Sequence, residues 1–483
     1  MQHAAASVLG IAMALLSGAC RDGGNMPDAP VTPADAPADA PPDAAPDRVR
    51  QTVAEVLATP NRDLDLLFVI DDSPSMLDKQ RNLANNFPAF SIALQALPGG
   101  LPNLHLGVIT TDMGTKASGS PTPAAPIGQI GQGGCSGTGK GGALQIFSAP
   151  VTGRFLVDVE QAGGGRVRNY TGTLEQAFGQ MANAGAGGCG FEQPLAAMRA
   201  ALDNHPANTG FLRAGAMLGI FFLADEDDCS TKDPALFGPD QVTLGALQSF
   251  RCTRFGVTCA AGGQTTDAMN QAGAKGGCGP NASSMYIDDL APYRDFLAGL
   301  KPNPTRVFAG GIMGPTEPFA VELRPPPGGG APLPAVAHAC AYQGSIGLEV
   351  ADPAVRLARF LDVAPSRAPS TTICMLDYSG SMMMLAERVQ QTMRGGCVES
   401  QLADLDAGTP GPQIDCLVED VVGAAATPIP SCDTSPAARP CWQLQSDATA
   451  CRFSPAPNLQ LVVQRATNPD PATVTRMRCL VDR

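Results

Sequence analysis

Two short, nearly all-apolar runs, each ending in acidic residues, constrain this chain most. Asp65-Leu66-Leu67-Phe68-Val69-Ile70 feeds into Asp71-Asp72-Ser73, and Gly219-Ile220-Phe221-Phe222-Leu223-Ala224 feeds into Asp225-Glu226-Asp227-Asp228. A strand with one wet face alternates apolar and polar residues. A continuous apolar run is instead buried on both faces, as in a parallel sheet covered by helices. Runs of similar texture cover 104–111 and 306–313, and helical stretches fall at 77–97, 191–202, 286–300 and 353–363. Strands alternating with helices predict an α/β class, a doubly wound, mostly parallel sheet flanked by helices and joined by right-handed crossovers.

At 483 residues the chain is too long for one ordinary domain. Residues 1–20 read as a signal peptide with a lipobox, because an apolar run from Ala4 to Leu16 is followed by Ser17-Gly18-Ala19-Cys20. Cys20 is then the lipidation site, and the alternative is ordinary secretion with cleavage near Ala19. Residues 21–61 are rich in Ala, Pro and Asp and cannot bury enough apolar area to offset their ordering entropy, which predicts a disordered linker. The α/β domain is expected over 62–395, with a cysteine-bearing insertion at about 229–283. A small disulfide-rich C-terminal appendage is expected over 396–483.

Fifteen cysteines occur without a single Cys-x-x-Cys pair, and there are only four histidines, which argues against a zinc ribbon or a thioredoxin-type motif. Disulfides in an oxidising compartment are the expected use. With Cys20 set aside, the candidates are Cys135, Cys189, Cys229, Cys252, Cys259, Cys278, Cys340, Cys374, Cys397, Cys416, Cys432, Cys441, Cys451 and Cys479. Their pairing does not follow from spacing. The net charge of −13 predicts no nucleic-acid partner, since phosphate binding needs a basic face.

Ligands of open parallel sheets sit beyond the carboxyl ends of the strands. There the pattern Asp71-x-Ser73-x-Ser75 and the later Asp225 place carboxylates and hydroxyls, the oxygen donors that hard cations take. Phe68-Val69-Ile70-Asp71-Asp72-Ser73-Pro74-Ser75-Met76, together with Leu223-Ala224-Asp225-Glu226, resembles a von Willebrand factor A domain over roughly 62–365. The resemblance implies a metal-ion-dependent adhesion site with Asp71, Ser73, Ser75 and Asp225 as ligands. It implies Mg²⁺ or Mn²⁺ as cofactor and a protein ligand that supplies an acidic residue. Ca²⁺ on 225–228 is a further option, beside a plain exposed acidic turn. Cys189 stands where the family places a Thr, so Glu192 is the substitute oxygen donor, or else a helix cap.

Asp377-Tyr378-Ser379-Gly380-Ser381 repeats the Asp-x-Ser-x-Ser pattern. Too few residues follow it for a second such domain, and it reads as the start of a terminal helix. His-Glu-x-x-His, Gly-x-Ser-x-Gly and phosphate-loop patterns are all absent from the sequence. The expected function is an exported binding module, not an enzyme, lipid-anchored at the cell envelope or surface. The alternatives are a disulfide-stabilised envelope scaffold with a vestigial metal site, and a metal-using hydrolase.

Overall fold

A computed structural model describes residues 48–482 apart from Ser148, Pro327, Gly328 and Ala407. The signal-peptide segment, Cys20 and most of the expected linker lie outside the described residues.

The strands of the first half are β1 (Arg48–Leu57), β2 (Asp63–Ile70), β3 (Asn103–Thr110), β4 (Phe155–Glu160), β5 (Arg166–Arg168), β6 (Met217–Ala224), β7 (Val257–Ala261) and β8 (Gly273–Pro280). They continue with β9 (Val307–Met313), β10 (Phe319–Arg324), β11 (Leu333–Val336), β12 (Cys340–Gln343), β13 (Leu348–Ala351) and β14 (Arg367–Thr372). The last are β15 (Cys416–Val422), β16 (Ala425–Pro428), β17 (Cys441–Ser446), β18 (Leu459–Gln464) and β19 (Val474–Asp482). The helices are α1 (Leu77–Gln95), α2 (Leu174–Ala182), α3 (Pro194–Leu202), α4 (Gln241–Leu244), α5 (Phe250–Gly256), α6 (Thr266–Met269), α7 (Ala291–Leu300), α8 (Val355–Val363) and α9 (Ser379–Arg394).

The largest sheet has seven strands in the order β14-β9-β6-β2-β3-β4-β5. Neighbours from β14 to β3 run parallel, and β4 and β5 are antiparallel additions. Residues of β6 are buried along its whole length because both faces are covered. On one face Phe68 and Phe221 pack against Leu83, Phe87 and Phe90 of α1, with Phe178 of α2. Phe87 and Phe178 stack at 3.8 Å. On the other face Leu67, Val69 and Phe222 pack against α3, α7 and α8 through Leu195, Leu297 and Phe360. Each such side chain contributes about 1.5–3 kcal/mol by leaving water.

The expected class of a doubly wound, mostly parallel sheet with a small appendage is corrected by the rest of the chain. Among the described residues the molecule is a mixed α and β structure in which every sheet other than the seven-stranded one is antiparallel: β1-β19-β15-β16, β11-β10-β8-β7, β12-β13 and β17-β18. The C-terminal region is not a separate appendage. β19 pairs along β1 from Arg48↔Asp482 to Leu57↔Val474, and Val53, Val418, Met477 and Val481 share one core. β1 also puts a paired strand inside the 21–61 segment read as linker. Its Val53 and Ala54 are buried. Buried Glu55 pairs with Arg306 at 3.0 Å and with Arg476 at 3.2 Å.

Among the described residues seven disulfides occur: Cys135–Cys189, Cys229–Cys252, Cys259–Cys278, Cys340–Cys374, Cys397–Cys451, Cys416–Cys479 and Cys432–Cys441. They use every cysteine except Cys20, and they run through the whole chain. Cys259 faces Cys278 across β7 and β8, and Cys416 faces Cys479 across β15 and β19. The β8 sequence Gly273-Ala274-Lys275-Gly276-Gly277-Cys278 has almost no apolar surface to pack. A cross-strand bridge there restrains the unfolded chain beside a small core of Val257, Met269, Phe319 and Val321. This usage places the protein in an oxidising, extracytoplasmic compartment. Among the described residues no helix is long and apolar enough to cross a membrane. Peptide mapping of denatured, unreduced protein should find no maleimide on these cysteines, and labelling of all of them after reduction. A free thiol at any of them contradicts the pairing.

Candidate functional site at the strand ends

The site forms where β2 and β6 stop. The Asp71 amide donates to the Leu223 carbonyl at 2.9 Å and ties the two strand ends together. Asp71 Oδ1 then accepts from the Ser73 amide at 2.7 Å, so the chain turns sharply toward α1. Ser73 Oγ and Ser75 Oγ lie 3.1 Å apart. The Gly188 amide donates to the Asp72 carbonyl at 2.7 Å, and a side chain at 188 would collide with the Asp72 carboxylate. The Cys135–Cys189 bridge fixes this loop, and α3 follows directly after Glu192 and Gln193. Asp71, Asp72, Ser73, Glu192 and Asp225 are each at most 3% exposed, whereas Ser75 is exposed. The structure therefore gathers Asp71, Ser73, Ser75, Asp225 and Glu192, with Cys189 beside them but engaged in its disulfide.

Two lysines, absent from the sequence reading, enter the same place. Lys79 is fully buried on α1, one turn beyond Ser75. Its ammonium sits 2.9 Å from Asp225 Oδ2 and 2.9 Å from Glu349 Oε2, and it donates to the Ser75 carbonyl at 3.1 Å. Lys140, from the Gly-rich stretch after β3, reaches Asp72 Oδ2 at 2.6 Å.

The expected Mg²⁺ or Mn²⁺ site is corrected on this geometry. Among the described residues no three His, Cys, Asp or Glu side chains are placed to hold a metal ion. A lysine ammonium supplies the positive charge at Asp225. The Ca²⁺ alternative on 225–228 fails because the four acids diverge. Asp225 faces Lys79, and Asp227 caps α8 by accepting from the Arg356 and Leu357 amides at 2.8 and 3.0 Å. Asp228 pairs with buried Arg356 at 3.0 Å, and Glu226 lines a cavity.

Electrostatics follow from this crowding. Burial, then the Asp225 charge, raises the Asp71 carboxyl well above its ordinary range. Burial, then Glu226 and Asp71, does the same to Glu192. Burial, then Asp352 and Asp225, pushes Glu226 up to about 8. Burial acts to lower the Lys79 pKa, but attraction to Asp225 and Glu349 outweighs it and raises it. Asp71 Oδ2, Asp72 Oδ1, Glu192 Oε1 and Asp225 Oδ1 are buried without a hydrogen-bond partner. Orphaned buried polar atoms cost stability, and these four belong to one group of strand-end acids.

Glu226 gives a signed pH dependence. An acid whose pKa is raised on folding holds its proton more tightly in the folded state. Its contribution is full below the unfolded value near 4.5 and is lost as pH rises toward about 8. Urea midpoints of the parent should fall between pH 5 and 8, and Glu226→Gln should flatten that fall. Parallel curves for the two proteins contradict the assignment.

Other sequence candidates settle differently. Asp377 is exposed and accepts from the Ser379 amide at 2.9 Å at the start of α9. His105 Nδ1 lies 2.9 Å from the Phe211 carbonyl. His338 Nδ1 lies 2.7 Å from Asp352 Oδ1.

No protein-family model matches the sequence, and no curated protein matches it. Among solved structures, the chain is similar to the SpaC pilus adhesin of Lactobacillus rhamnosus GG, at 12% identity and a TM-score of 0.29, covering 91% of this chain and 44% of that one. It is also similar to a human COPII-coat protein at 11% identity and a TM-score of 0.29, covering 89% and 41%. A third is the RrgA pilus adhesin of Streptococcus pneumoniae, at 12% identity and a TM-score of 0.24, covering 90% and 58%. The chain thus spans less than two thirds of each of these proteins.

Proposed function

We propose that this protein is an exported binding module that engages a protein ligand at the strand-end face around Asp71, Asp72, Glu192 and Asp225. The observation that carries this reading is the set of four buried carboxyl oxygens without partners, held in a frame of disulfide and lysine. Such acceptors are satisfied when a ligand brings donors. The reading keeps from the von Willebrand factor A resemblance the use of strand ends for recognition, and it drops the metal. Binding rather than catalysis fits the lysines, which are spent on neutralising carboxylates. A lipid on Cys20 would tether the module to the envelope, and retention of a Cys20→Ser protein in the membrane fraction would remove that part.

A photo-crosslinking residue at Ser75, at the mouth of the site, tests the reading in intact cells. The control is Ile92, 64% exposed farther along α1. Discrete adducts from position 75 and none from 92 are expected. Adducts from both positions, or from neither, oppose the reading.

A further inference from the structure

Behind Glu192 lies a cavity of about 230 Å³. That is small for a drug-sized ligand and suited to one side chain. Its walls differ in chemistry. Phe250, Val257 and Val336 are apolar members of its lining, and Glu192 and Glu226 are among its acids. The other charges in the lining are already engaged. Asp228 pairs with Arg356 at 3.0 Å, Asp352 with His338 at 2.7 Å and Arg324 with Glu322 at 2.8 Å. Asp227 is held by the first amides of α8. Glu192 is 2% exposed, and its Oε1 has no hydrogen-bond partner. What remains after this pairing is Glu192 and Glu226, hydrogen-bonded to each other with Arg324 as the cation that acts on Glu226, and with Glu192 Oε1 left without a partner.

We infer that this cavity receives a cationic side chain of the ligand, an aliphatic stem ending in a primary ammonium or a guanidinium, with Glu192 and Glu226 as its acceptors. The stem lies along Phe250, Val257 and Val336, and the head reaches the orphaned Glu192 oxygen. Lysine and arginine have this division between an apolar stem and a charged head. The inference rests on the protein-ligand reading above and names what that ligand must present.

The test titrates the full chain, in buffer with EDTA, with Nα-acetyl-lysine N-methylamide, the arginine equivalent, Nα,Nε-diacetyl-lysine N-methylamide and n-butylammonium, followed by saturation-transfer NMR. Either cationic amino-acid derivative should bind with a Kd on the order of millimolar, as befits so small a ligand. The diacetylated compound should not bind. Glu192→Gln/Glu226→Gln should weaken binding about tenfold or more, the loss of a charge-assisted contact. Ser249→Phe, which plugs the cavity and leaves both acids in place, should abolish it. Equal binding of the diacetylated compound, or unchanged binding in both variants, overturns the inference. Butylammonium binding as tightly as the lysine derivative assigns the cavity to free amines and overturns the side-chain assignment. Adducts at position 75 without cation binding sink this inference alone. Cation binding without adducts sinks the protein-ligand reading alone.

Discussion

Lys79→Met is expected to lower the stability of the folded chain by about 3–5 kcal/mol at pH 7.5, the cost of leaving buried carboxylates without their cation. Lys79 is fully buried between Asp225 and Glu349, 2.9 Å from each. Methionine fills similar volume but supplies no charge, so packing loss is small and the electrostatic loss dominates. Buried carboxylates without a counter-charge take up protons. The deficit should therefore shrink at pH 5, where protonation removes the uncompensated charge. Urea unfolding at the two pH values measures both parts. A loss below about 1 kcal/mol at pH 7.5 contradicts the claim that this lysine neutralises the strand-end cluster.

Removing the Cys135–Cys189 bridge by paired alanine substitutions should cost about 2–5 kcal/mol, the range for a native disulfide in an exported protein. The bridge closes a loop with a sequence separation of 54, and both cysteines are fully buried. Its effect should also be local. The Gly188 amide donates to the Asp72 carbonyl at 2.7 Å, and the Gly190 amide donates to the Gly133 carbonyl at 3.0 Å. Hydrogen exchange at these two amides should speed up more than at β6 amides in the same variant. Uniform acceleration across the molecule would show a purely global role, and unchanged stability would remove the bridge from the account.

Some of this molecule can be read directly from the chain. The β2 and β6 strands stand out because both faces of their sheet are covered, so their sequences carry no polar alternation. Asp71, Ser73, Ser75 and Asp225 stand out because acidic and hydroxyl residues follow those strands at once. The antiparallel sheets do not stand out. β8 is half glycine, and β7 is held to it by a disulfide whose partners no spacing reveals. β1 was hidden by its alanine- and proline-rich neighbours, and its partner β19 is more than four hundred residues away in sequence. Lys79 and Lys140 were missed for a related reason. A sequence shows which oxygens cluster at a strand end, but a cation arriving from α1 or from a glycine-rich loop is fixed only by tertiary packing. That packing decides between a metal cradle and an internally neutralised one. It also divides Asp225–Asp228: Asp225, Asp227 and Asp228 each take a separate partner, and Glu226 faces a cavity.

The most direct measurement is calorimetric titration of Mg²⁺, Mn²⁺ and Ca²⁺ into the full chain, beside an Asp71→Ala/Asp225→Ala variant. Neutralisation by Lys79 and Lys140 predicts no saturable heat for any of the three ions and the same Tm in EDTA as in excess ion. Saturable binding that disappears in the variant would contradict internal neutralisation and return the strand-end oxygens to a metal.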